Sequence, residues 1–179
     1  ESDKLKLADS RLDELMQNST NGIFIWSAER KLVKINKAGK DRFREGFGIE
    51  AEIGFKHKDA YINGVKKRIF ELPPGEDLEE WAGRQFDERL KNAGIPFEIK
   101  WKDGIWLRHL NTKMKDGGFI TITTDITEIK QHEKELEEQK ELYSFLIDSI
   151  NGVVFDWDLE TQKVDYSINP NHESIASQF

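Results

Sequence analysis

Two Asp-Gly pairs, Asp103-Gly104 and Asp116-Gly117, cut residues 96–124 into three runs rich in apolar residues. Asp-Gly supplies the positive-φ backbone that a tight hairpin turn requires. The runs Pro96–Lys102, Ile105–Lys113 and Gly118–Thr124 therefore predict a three-stranded antiparallel meander. In the first run Phe97, Ile99 and Trp101 alternate with charged residues, so one face of that meander must be buried. Two further strands are expected upstream, Gly22–Ser27 ("GIFIWS") and Lys31–Asn36 within "RKLVKIN", joined by a polar turn.

Helical patterning surrounds these strands. Residues 1–20 place Leu5, Ala8, Leu12 and Leu15 at spacings of three and four, a heptad stripe on an otherwise charged helix. Short helical pieces are expected around "AGKDRF" and "YINGVKKRIF". Pro73, Pro74 and Gly75 then stop the chain, and Asp77 with Glu80 forms a capping-box pattern. Leu78, Trp81, Ala82, Phe86, Leu90 and Ala93 line one face of the helix that follows, which Gly94 closes. The order of strands and helices predicts an α+β fold: a five-stranded antiparallel sheet with helices on one face, flanked by N- and C-terminal helices of coiled-coil type.

The last strand runs into the last helix without a loop, in "TTDITEIKQHEKELEEQ" (123–139). Asp125 stands at the joint with Glu128 three residues on, so a capping box is expected there. Ile129, Leu136, Tyr143 and Ile150 recur every seven residues, but His132 and Gln139 occupy companion positions. Such a half-polar seam is stable only with a partner, and it suits a dimeric connector that can change packing. The dimer helices would then use Leu5, Leu12, Ile129, Leu136 and Tyr143.

An internal repeat divides the chain. "LMQNSTNGIFIW" (15–26) lines up with "FLIDSINGVVFDW" (145–157), with Ser19, Asn21 and Gly22 matching Ser149, Asn151 and Gly152. The second copy continues into "QKVDYS" and is too short for a domain. The expected organisation is a helix over 1–20, a domain over 21–125, a connector over 126–150 and the start of a second similar domain over 151–179. The chain is thus expected to be a piece of a longer modular protein.

These residues resemble the PAS sensor modules of bacterial signalling proteins. "NGIFIWSAERKLVKIN" is similar to the first two family strands, and "GFGIEAEIG" (46–54) to the glycine-bounded segment after them. "DGIWLRHLNTKMKDGGFITITTDIT" resembles the closing hairpin, including Trp106, Arg108 and the terminal Asp125-Ile126-Thr127. The resemblance implies sensing or dimerisation, with Asp125, Ile126, Thr127 and Glu128 passing a signal from the sheet to the connector. It implies a homodimer and a downstream output domain in the same chain, such as a histidine kinase or a nucleotide cyclase. It leaves the ligand unnamed. Family members with a flavin photoadduct need a cysteine, and haem members place a histidine on the long helix; this chain has no cysteine, and 77–93 has no histidine.

Other chemistry finds little support. A net charge of −7 opposes a nucleic-acid partner; Lys31, Lys34, Lys37 and Lys40 point in several directions. The absence of cysteine removes disulfides and thiolate sites, and no apolar run approaches a membrane span, so a cytoplasmic location is expected. Gly46-Phe47-Gly48 with Ala51 fits a dinucleotide fingerprint, but helix instead of strand is expected before it. His132 lacks the sequence context of a phospho-accepting histidine, and His57, His109 and His172 lie scattered, without metal spacing. No catalytic residues or metal ligands are expected. Trp81, Phe86, Phe97, Trp101, Trp106 and Ile122 are candidates to line a small-molecule pocket. If instead they fill the core, the domain is a purely structural dimerisation module.

Overall fold

The computed structural model describes residues 2–101, 103–149 and 153–168. Two compact units are present, Glu1–Glu128 and Ile129–Phe179. In the first unit, helix α1 (Ser2–Asn18) precedes strands β1 (Gly22–Trp26) and β2 (Leu32–Ile35). Helices α2 (Lys37–Phe47), α3 (His57–Lys66) and α4 (Leu78–Lys91) follow, then β3 (Phe97–Lys100), β4 (Trp106–Lys113) and β5 (Phe119–Asp125). The strands form one antiparallel sheet in the order β2-β1-β5-β4-β3, so β5, last in sequence, is central. Helix α5 (Thr127–Ser149) begins two residues after β5 and continues into the second unit.

The α+β architecture is the one the turn signals predict. Gly104 and Gly117, the second residues of the two Asp-Gly pairs, have φ near +90°, the left-handed backbone that a side chain would oppose. Asp77 caps α4 by accepting from the Glu80 amide at 3.0 Å. The Gly46–Gly48 segment has a structural role: α2 ends at Phe47, and Gly48 closes it in the αL conformation while its amide donates to the Arg44 carbonyl and the Ile49 amide to the Phe43 carbonyl.

Asn36 holds the entrance of the fold together. It is fully buried at the end of β2. Its side-chain amide donates to the carbonyls of Met16 and Asn21, each at 2.8 Å. Its side-chain oxygen accepts from the amides of Ile23 and Gly39, also at 2.8 Å. One side chain therefore satisfies the end of α1, the turn into β1, β1 itself and the N-terminus of α2. Around it the aromatic core assembles: Phe24, Trp26, Phe43, Phe86 and Phe119 pack with Leu32 and Ile35 between the sheet and the helices.

In the second unit β6 (Val153–Asp158) and β7 (Lys163–Ile168) pair as a hairpin, in register from Val153–Ile168 to Asp158–Lys163. Asp158 anchors its turn by accepting from the amides of Glu160 and Thr161. Asn151, Gly152 and residues 169–179 of the expected second domain lie outside the described residues. The expected dimer residues Leu5, Leu12, Ile129, Leu136 and Tyr143 are all exposed. No helix among the described residues is long and apolar enough to cross a membrane.

Two substitutions test this account. Asn36→Asp removes two donors and turns a carboxylate toward two carbonyls. It should destabilise the protein by several kcal/mol, since each unpaired buried polar group costs ~1–3 kcal/mol. Gly118→Ala should also destabilise, by ~1–3 kcal/mol, because an added Cβ would overlap the Trp26 carbonyl oxygen. Gly83→Ala, in α4 with open space around it, should instead stabilise by ~0.5–1 kcal/mol. Urea unfolding checks all three, and a stable Asn36→Asp protein would refute the role given to Asn36.

Candidate functional site

The inner face of the meander carries Phe97, Ile99 and Trp101, then Leu107, His109 and Asn111, then Thr121 and Thr123. Facing them are Arg42, Phe43 and Phe47 from α2, His57, Ala60 and Tyr61 from α3, and Arg89 from α4. They enclose a partly open cavity of about 80 Å³. That is small beside the ~300–1,000 Å³ of drug-sized pockets. Its sheet wall is aromatic on the β3 side and carries the polar side chains of Thr121 and Thr123 on β5.

Register organises the polar groups. Phe97, His109 and Thr123 sit opposite one another across β3, β4 and β5. The Phe97 ring stacks on His109 with centroids 5.0 Å apart, and His109 Nδ1 lies 3.0 Å from the Thr123 hydroxyl. One step along, the Thr121 hydroxyl donates to Asn111 Oδ1 at 2.7 Å. Arg89 reaches in from α4. Its Nε donates to the Tyr61 hydroxyl, and its guanidinium lies 3.8 Å from the centre of the Phe97 ring.

His57 is boxed by aromatic rings, with Trp26, Phe86 and Phe119 edge-on and Tyr61 tilted beside it. His57 Nδ1 and His109 Nε2 are buried without hydrogen-bond partners among the described residues. Burial, then the nearby charges of Arg89 and Arg30, pushes the His57 pKa down to about 3. Burial, then Arg89, does the same to His109, also to about 3. Both imidazoles are thus neutral in the fold at ordinary pH.

A second feature connects this cavity to the exit helix. Arg42 lines the cavity, and its Nη2 lies 2.9 Å from Asp125 Oδ2. The other carboxylate oxygen of Asp125 accepts from the amide of Thr127 at 3.0 Å and from its hydroxyl at 2.6 Å. The Thr127 hydroxyl oxygen in turn accepts from the Trp106 amide at 3.0 Å, and the Ile126 amide donates to the Trp106 carbonyl at 2.9 Å. Burial opposes ionisation of Asp125. The hydrogen bonds from Thr127 and the charge of Arg42 outweigh it, and hold the carboxyl below its usual range. Ile126 is buried, which fixes the start of α5 against the first unit.

The structure departs from the sequence reading at several of these residues. Asp125 accepts from the first residue of α5 as expected, but Glu128 is exposed, and the capping-box bond back to Asp125 is absent among the described residues. Arg42 stands as its charged partner instead. Of the pocket candidates, Phe97 and Trp101 line the cavity. Phe86 is core, packed on Phe119 at 4.9 Å, and Trp81 packs edge-on against Tyr61 outside the cavity. Trp106 lies on the opposite parity of β4 from Leu107 and His109, with the Lys100 ammonium over its ring. Ile122 likewise alternates away from the cavity, because Thr121 and Thr123 face inward. His57, His109, Arg42, Tyr61 and Arg89 were missed. The available signal was parity: His109 and Asn111 share a strand face with Leu107, and Thr121 and Thr123 share one with Phe119.

A family model for the PAS fold matches residues 16–134, more than half of the chain, and the chain belongs to that family. Among solved structures it is similar to the PAS domain of an HTR-like protein from Haloarcula marismortui, at 18% identity and a TM-score of 0.34. That match covers 70% of this chain and 97% of that one. It is also similar to the PAS domain of Bordetella pertussis BvgS, at 17% identity and a TM-score of 0.44, covering 78% and 98%. A domain of a sensory box sensor histidine kinase/response regulator from Geobacter sulfurreducens gives 17% identity and a TM-score of 0.38, covering 68% and 96%. No curated protein matches the chain.

The histidines give a pH prediction. Each titrates near 6.5 when unfolded and near 3 in the fold, so the folded state binds fewer protons between these values. Their contribution is complete above pH ~6.5 and is lost as the pH falls toward ~3, at about 1.4 kcal/mol per pH unit for each histidine. Stability should therefore drop by roughly 2 kcal/mol per histidine between pH 6.5 and 5. His57→Phe and His109→Phe should each flatten that slope in urea titrations. A wild-type stability unchanged over this range would contradict it.

Proposed function

We propose that this chain is a non-enzymatic sensory or relay module of a cytoplasmic signal-transduction protein of histidine kinase or nucleotide cyclase type, acting as a parallel homodimer. The observation that carries this reading is Arg42, which lines the cavity and ion-pairs with Asp125 at the start of α5. A molecule entering or leaving the cavity changes the position or solvation of Arg42. Asp125 then loses or gains its partner, and the hydrogen bonds that start α5 shift with it. In a dimer the half-polar seam of α5 repacks, which alters the downstream output domain. The cavity's size restricts its occupant to a small molecule.

The energies suit a switch. Arg42 and Asp125 are partly solvated, so their pairing is worth ~1 kcal/mol or less. The Asp125 turn onto Thr127 adds an amount comparable to a helix cap, ~0.5–2 kcal/mol. Together these approach the few kcal/mol that separate the states of a two-state protein.

A native mass spectrum of the purified protein tests the function directly. A doubled mass carrying a small bound compound is expected. A doubled mass carrying nothing would favour a purely structural dimerisation module, and a monomer would remove the dimeric seam from the mechanism.

A further inference from the structure

The cavity's polar groups are one-sided. Among the described residues its lining includes two arginines and no carboxylate. Arg42 is matched, by Asp125 at 2.9 Å and Glu45 at 3.7 Å. Among the described residues Arg89 is not matched in the same way: its contacts there are the Tyr61 hydroxyl and the faces of Tyr61 and Phe97, all uncharged. A guanidinium offers five donors, and Tyr61 takes one of them. Lining the same cavity are two buried imidazole nitrogens without partners among the described residues, His57 Nδ1 and His109 Nε2. Buried polar atoms of a native protein are nearly always paired, so two in one cavity need an explanation.

We propose that this cavity binds a small organic monocarboxylate, its charge held by Arg89 and its oxygens taking hydrogen bonds from the neighbouring imidazoles. The inference rests on reading the cavity as the sensory site, and it names the ligand class. Three observations select that class. One unmatched cation calls for one negative charge. The planar guanidinium fork matches a carboxylate. The remaining walls, Phe43, Phe47, Ile99, Trp101 and Leu107, are apolar, so the rest of the ligand is hydrocarbon, of only a few carbons in so small a space. The charge of Arg89, which adds to burial in keeping both histidines neutral, also favours an anion over a cation. A neutral imidazole offers either a donor or an acceptor at its free nitrogen, according to its tautomer, so donors toward the ligand need no protonation.

The test uses matched probes on the whole chain: acetate, propionate and isobutyrate against their uncharged amides, at millimolar concentration and pH 7. At least one carboxylate should raise the Tm and shift the His109 imidazole resonances, while its amide does neither. Arg89→Gln should weaken that binding by about 10–100-fold, the worth of a charged hydrogen-bonded contact. Arg89→Lys should retain part of it. Arg108→Gln, a surface change at a residue paired with Glu98, should bind as the wild type does. Should Arg89→Gln fail to fold, His109→Phe supplies the second variant, keeping the stack on Phe97 and losing the nitrogens, with weaker binding expected. Binding of the amides as tightly as the carboxylates would overturn the anion class while keeping the cavity as a ligand site. No binding by either series would overturn the ligand class and count against the sensory reading as well.

Discussion

Four hydrogen bonds from one buried amide, that of Asn36, set the geometry from which the rest of the first unit follows. They fix where α1 ends, where β1 starts and where α2 begins. With α2 anchored at its N-terminus, Phe43 is placed in the core and Arg42, its neighbour, is directed to the cavity and Asp125. Moving α2 would therefore disturb the core and the joint together. An amide is suited to this place because it has two donors and an acceptor with two lone pairs, and here it meets two carbonyls and two amides.

The sheet order has a mechanical consequence. Placing β5 between β1 and β4 makes the central strand the one that runs into α5. The exit helix is thus continuous with the best-supported strand of the sheet, and its first residues bond to β4 through Trp106. The cavity meets the same strands on the inner face, at Thr123 and His109. Thr123 of the inner face and Asp125 of the joint lie two residues apart on β5, so the cavity and the start of α5 share one strand.

Much of the architecture was legible because it rests on local rules. The Asp-Gly turns, the Asp77 cap and the period-two alternation of Phe97, Ile99 and Trp101 each specify one element without help from distant residues. The cavity was not legible in the same way. Hydrophobicity alone sends Ile122 inward, yet the register of β5 is set by Phe119 in the core, and Thr121 and Thr123 share its face. Arg42 and Arg89 look like ordinary surface residues of amphipathic helices, and their roles depend on what the sheet brings opposite them. Asn36 likewise reads as the end of a strand until its four partners come together.

The central claim is that the cavity and the exit helix are coupled through Arg42 and Asp125, and hydrogen exchange at the amides of Thr127 and the first turn of α5 measures it most directly. The coupling predicts that Arg42→Ala and Asp125→Ala each speed exchange there several-fold, as expected for a loss of about 1 kcal/mol. The double variant should be no faster than the faster single one, because both changes break the same link. Exchange that is unchanged in Arg42→Ala, or effects of the two substitutions that simply add, would contradict it.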